Sequence, residues 1–176
     1  MRNIPVKTVR IGLALAVVAL AASVSAQVAP STKLLIGTWK YSAQKSKLVN
    51  TQAPKDVTRT YEDRGDGTYS YTQVTHTADG TRSETRYVAK EDGTENDMFR
   101  MGPNNAPVPS GATISFTWTD TYTAEQTQTA PDFVATATRK ISQDGKTMTL
   151  TVAAPVDVFS GQTGADPMPD IMVFDK

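Results

Sequence analysis

The chain has 176 residues, with 18 basic and 18 acidic side chains, one histidine and no cysteine. The lack of cysteine excludes disulfides, thiolate chemistry and a lipid-modified cysteine. The balanced charge, with no basic cluster, excludes nucleic acid and anionic lipid as natural partners.

In chain order, the first feature is an address. Arg2, Lys7 and Arg10 flank the start of an apolar run, IGLALAVVALAA at 11–22, and Val24-Ser25-Ala26 supplies small residues after it. This layout predicts a secretory signal peptide over 1–26, cut before Gln27. A membrane-spanning helix needs ~20 apolar residues, and the run is too short for one. No Arg-Arg pair is present, which favours the general export route over the twin-arginine one. Cleavage would leave fifteen basic against eighteen acidic residues, a net charge of −3. The expected location is periplasmic or extracellular. Residues 27–33 read as a linker and 34–176 as one domain, large enough to bury a core without disulfides.

A cadence of turns follows. Asp-Gly occurs at 66–67, 79–80, 92–93 and 144–145, the first three in steps of 13. Continuing the step predicts turns near 105, 118, 131 and 144, where the chain has Gly102-Pro103-Asn104-Asn105, Asp120, Pro131-Asp132 and Asp144. Asp-Gly supplies the positive φ of tight hairpin turns. Strands of ~9–10 residues joined by such turns form an antiparallel meander.

The segments between turns alternate with period two. Val57, Arg59 and Tyr61 share one face; Tyr69 and Tyr71, then Ile114, Phe116 and Trp118, then Met148, Leu150 and Val152 do the same. Alternation of this kind means half-buried antiparallel strands. No apolar stripe of helical period follows position 30. The expected fold is all-β, an up-and-down antiparallel meander closed into a barrel of about 8–10 strands, because closure removes edges that invite aggregation. Three stretches break the rhythm: 45–54, the Pro/Gly/Asn segment 102–112, and 155–169.

Gly37-Thr38-Trp39 heads this meander. It resembles the Gly-x-Trp of lipocalins and the Gly-Thr-Trp-Lys of intracellular fatty-acid-binding proteins. GTWKYSAQKSK at 37–47 is similar to the opening of small secreted bacterial lipocalin-like domains, whose late hairpin and tail resemble 144–149 and Phe174-Asp175-Lys176. The resemblance implies a calycin-type barrel with a cavity. It also implies that Gly37 and Trp39 close one end, with Arg139 as the arginine over the indole, where cation–π attraction favours it. The departures are informative. Fatty-acid-binding proteins anchor a carboxylate with a terminal Arg-x-Tyr; Met172 and Phe174 stand at the matching positions. Methionine cannot replace a guanidinium, so that mode of fatty-acid binding is not expected.

Chemistry is sparse. His76 is the only histidine, and no Gly-x-Ser-x-Gly elbow is present. It reads as a strand-surface residue. A transition-metal site would need several His or Cys ligands, and Met98, Met101, Met168 and Met172 read as apolar fillers rather than Cu(I) ligands. The acidic pairs Glu62-Asp63, Glu91-Asp92 and Glu95-x-Asp97 fall at strand ends and turns and read as solvated surface. Arg82, Glu84, Arg86 and Lys90 line one strand face whose opposite face is too polar for lipid, which argues against an outer-membrane barrel.

The cavity candidates are Tyr69, Tyr71, Tyr87, Phe116, Trp118 and Phe133. Gln126, Gln128 and Arg139 point to a wet or ligand-holding interior, since buried polar groups need partners. The expectation is a monomer that binds a small, mostly apolar molecule, without cofactor, metal or covalent chemistry. Two alternatives stand beside it. One is a protein-binding module acting through loops 101–112 and 155–169, for which an exposed patch of Met98, Phe99 and Met101 would be the sign. The other is a cofactor-free lyase or isomerase, with Arg59, Arg82, Glu84 and Arg86 as the ionisable candidates.

Overall fold

The computed structural model describes residues 30–153, 156–157 and 168–176. The expected signal peptide and most of the 155–169 segment lie outside the described residues. A short helix, α1 (Pro30–Leu35), leads into β1 (Gly37–Tyr41). Then come β2 (Asp56–Asp63), β3 (Tyr69–His76), β4 (Arg82–Ala89), β5 (Asn96–Met101), β6 (Pro107–Trp118), β7 (Thr123–Thr129), β8 (Phe133–Ile141) and β9 (Thr147–Val152). The two-residue β10 (Val156–Asp157) and β11 (Asp170–Asp175) complete the chain.

Each strand from β1 to β9 pairs antiparallel with the next, β9 pairs with β11, and β11 returns to β1. Ten strands therefore close an up-and-down barrel, and β10 extends the wall along the start of β8 at Phe133 and Val134. The alternation predicted from sequence is the inside–outside rule of this wall. Val57, Arg59 and Tyr61 of β2 are buried, and so are Tyr69 and Tyr71 of β3, Ile114 and Phe116 of β6, and Met148 and Leu150 of β9.

The 13-residue cadence marks the hairpins. Backbone bonds close turns at Arg64–Thr68, Thr77–Thr81, Gly102–Ala106, Thr119–Thr123, Ala130–Phe133 and Ser142–Thr147. In the turn at 77–81 the carboxylate of Asp79 accepts from the Thr81 amide while Gly80 takes φ +88°, a conformation open to glycine at little cost.

Two expectations need correction. Residues 107–112 are not loop: β6 already begins at Pro107, which faces Met101, and Pro109 faces Phe99. Here β6 pairs with β5 alone, since its pairing with β7 begins at Thr113; a proline lacking its N–H is tolerated on such a one-sided stretch. The other correction concerns the linker, whose residues 30–33 belong to α1.

The two barrel ends differ. At one end α1 and β1, joined through Trp39 and the Leu35 carbonyl, meet the 64–68 and 142–147 turns. At the other, the 45–54 link is tied to the start of β11. Asp170 accepts hydrogen bonds from the amides of Val49 (2.6 Å) and Asn50 (2.8 Å) and from the Thr51 hydroxyl. Burial alone would raise the Asp170 pKa, but these donors outweigh it and hold the carboxyl below its ordinary value. Its stabilisation is therefore present above the unfolded pKa of ~3.9 and lost as pH falls through the depressed folded value. Asp170→Asn is expected to lower stability by about 1.5–3 kcal/mol at neutral pH. Urea unfolding should show this deficit shrinking below pH ~4; an undiminished deficit there would rule out the carboxylate charge as its source.

Candidate functional site

The sealed end is a packed floor. Trp39 is fully buried, and its Nε1–H donates to the Leu35 carbonyl at 2.7 Å. Lys176, not Arg139, stands over its indole, with Nζ 4.8 Å from the ring centroid. Arg139 instead covers Phe116 and Trp118 at 5.1 and 5.0 Å. The expectation of Arg139 over Trp39 is thus corrected: Arg139 is level with Ala124 of β7, which is level with Trp118 of β6, whereas β1 lies three strands off on the other side.

Glu91 corrects a second expectation. It is not a solvated surface carboxylate; its side chain is 3% exposed, and Arg139 Nη2 donates to Oε1 at 2.6 Å. Tyr69 donates to the same oxygen at 2.8 Å. Glu91 continues the parity of Tyr87 and Ala89, both buried, and this was the signal available in the sequence. Burial would pull the Arg139 guanidinium down, but the Glu91 carboxylate together with the Tyr69 and Tyr61 phenols outweighs it, so the guanidinium stays charged. The same burial, with Glu91 alongside, pushes the Tyr69 phenol well above its ordinary value.

Above this floor lies a cavity of about 270 Å³. Arg59, Tyr71, Gln73 and Tyr87 contribute from β2–β4, Gln126 and Gln128 from β7. Met98, Ile114, Ala137, Leu150 and Val152 supply apolar wall. Tyr71 and Tyr87 stack with centroids 4.3 Å apart, and the Tyr71 hydroxyl donates to Gln73 at 2.7 Å. Toward the 51–54 link a further cavity of about 290 Å³ shares Arg59 and Gln73 with the first and adds Val57 and Met172. Arg59 and Gln73 thus stand between the interior and the end away from Trp39. A larger hollow of about 540 Å³ lies on the outer wall where β4 and β5 share only two paired positions; it holds outward residues such as Val88 and Phe99 and is open to solvent.

Of the six aromatics singled out from the sequence, Tyr71 and Tyr87 line the cavity. Tyr69 and Phe116 lie below it, in contact with each other and with the Glu91–Arg139 pair. Trp118 is half-buried against Arg139, and Phe133 is half-buried at the start of β8. Gly37 has φ +129°, and a Cβ there would come within 2.6 Å of the Lys176 side chain. The glutamines and Arg59 were better guides to the cavity than most of the aromatics.

The other sequence candidates are elsewhere. Arg82, Glu84 and Arg86 are on the outer face, where both arginines clamp the Glu84 carboxylate. Only Arg59 of the four proposed lyase groups faces inward, so those four do not converge on the cavity. His76 is half-buried and pairs with Asp56 at 2.8 Å. Met98 lines the cavity, so Met98, Phe99 and Met101 form no exposed patch. Among the described residues no group of three or more His, Asp or Glu comes together as a metal site.

The fold and site define a class: a closed antiparallel β-barrel with one sealed end and a cavity of a size that can take a small ligand. No protein-family model matches the chain, and among curated proteins nothing matches it.

Proposed function

We propose that the chain is an exported, lipocalin-like binding protein that carries or sequesters a small molecule in its barrel cavity without covalent chemistry. The single observation that carries this reading is the asymmetry of the barrel. One end is filled by Trp39 and a buried ion pair, while the interior beyond them is hollow and lined by mixed side chains. At about 270 Å³ the cavity lies just under the usual range for drug-sized ligands. Its lining is as much polar as apolar, so the ligand carries polar groups; a mostly apolar one, as the strand aromatics suggested, would leave Arg59 and the glutamines unmatched. Export rests on the pattern over 1–26, and a monomeric state on the closure of the ring, whose one-sided stretch at 107–112 carries two prolines that blunt edge pairing.

Native mass spectrometry of the protein purified from its own envelope or medium fraction tests this. A co-purifying small molecule is expected, released on denaturation. Ala135→Phe, which fills the cavity from β8, should abolish it while far-UV circular dichroism stays unchanged. A protein that arrives empty, or a ligand retained by the filled barrel, would overturn the reading. A stoichiometric protein partner in its place would favour a binding module instead.

A further inference from the structure

The barrel interior contains two buried arginines, and they are treated differently. Arg139 has the Glu91 carboxylate at 2.6 Å. Arg59 is only 8% exposed, yet among the described residues no carboxylate oxygen lies within 4.0 Å of it. Its guanidinium carbon sits 4.5 Å over the Phe174 ring. Its other neighbours are the phenols of Tyr61, Tyr71 and Tyr87, and its Nε has no hydrogen-bond partner. Asp170 shares the inward face of β11 with Phe174, but it stands four residues away at the rim, its oxygens taken by Val49, Asn50 and Thr51. Arg59 is therefore a buried cation with no counter-charge, facing a hollow. Such a charge is costly to keep in an apolar interior, and arginine cannot escape by deprotonation.

The opposite wall is informative too. β2 and β7 stand five strands apart in a ring of ten, so Gln126 and Gln128 face Arg59 across the cavity. Among the described residues neither glutamine side chain makes a hydrogen bond, whereas the Gln73 amide is engaged with Tyr71 and Thr75. A cation on one wall, two uncommitted amides on the other and apolar residues between them outline a ligand.

We infer that the cavity takes a small monocarboxylate, its anionic end held by the Arg59 guanidinium and its far end by the Gln126 and Gln128 amides. A single guanidinium matches one negative charge, and its planar fork matches a carboxylate's two oxygens. The cavity has the volume of roughly nine waters at ~30 Å³ each, so the acid is small, with a compact body and a hydrogen-bonding group away from the carboxylate.

This inference rests on the binding function proposed above, and its test separates the two. Isothermal titration of the purified protein with aliphatic and aromatic monocarboxylates of four to ten non-hydrogen atoms, hydroxylated and not, is compared with the matching primary amides. The best acid is expected to bind at least about tenfold tighter than its amide, the margin of a charge-assisted hydrogen bond. Arg59→Met should erase that margin, so that acid and amide bind the variant alike; the acid–amide comparison on the unaltered protein stands even if the variant does not fold. Acids and amides binding equally, or amides alone, would overturn the carboxylate inference while the cavity function stands. Binding of neither set, together with an empty protein from the native source, would overturn both.

Discussion

Glu91→Ala is expected to lower stability by about 3–5 kcal/mol, the usual cost of removing one member of a buried ion pair. The expected fall in melting temperature is roughly 6–20 °C for a domain of this size. The reason is what the change leaves behind: Arg139 is 1% exposed, and Glu91 is its only carboxylate partner among the described residues. Tyr69 would lose its acceptor in the same step. The double variant Glu91→Leu/Arg139→Met should recover most of the loss, because removing both charges removes the desolvation cost with them. Chemical denaturation of the two single variants and the double one gives the coupling energy directly. A loss below ~1 kcal/mol for Glu91→Ala is the value typical of an exposed pair, and would mean that water reaches the barrel floor.

Trp39→Ala carries the second large effect, about 3–5 kcal/mol, since it deletes a wholly buried large side chain and leaves a cavity in the floor. Three elements meet at this indole: α1 through the Leu35 carbonyl, β1 itself, and the C-terminal Lys176, whose Nζ also donates to the Leu34 carbonyl at 3.1 Å. Losing the ring therefore loosens the helix and the chain end together. Trp39→Phe should cost less, because much of the volume stays and one hydrogen bond, worth ~1 kcal/mol, is lost. Trp39 does not line the cavity. Ligand affinity measured on Trp39→Phe should thus match that of the unaltered protein, while its urea midpoint falls. A drop in affinity without a drop in stability would place the indole in the binding site after all.

Much of the architecture was legible residue by residue. The Asp-Gly steps mark turns because few other dipeptides accept positive φ there, and the steps near 105, 118 and 131 land on the turns at 102–106, 119–123 and 130–133. Period-two alternation separated inside from outside on β2, β3, β6 and β9. Glu91 shows where the reading stopped short. Its position near a turn suggested solvent, but its parity with Tyr87 and Ala89 pointed inward, and parity prevailed because Arg139 on a distant strand was there to receive it. Residues 107–112 show the opposite failure. Two prolines and a glycine read as loop, yet with only β5 beside them the missing N–H groups cost no pairing.

Local chemistry by itself determined the hairpin spacing, the inward-facing sets, the closed all-β class and the absence of any thiol chemistry, for these depend on neighbours along the chain. Which charges meet was decided only by the tertiary structure. Arg59 and Arg139 have the same side chain on the same inward face of their strands. Arg139 comes beside Glu91 and Arg59 beside Phe174, partners that lie forty-eight or more positions away along the chain. Long-range strand order leaves Arg139 neutralised as part of the floor and Arg59 charged at the cavity, because a buried charge takes its meaning from whatever the fold brings within a few ångströms of it.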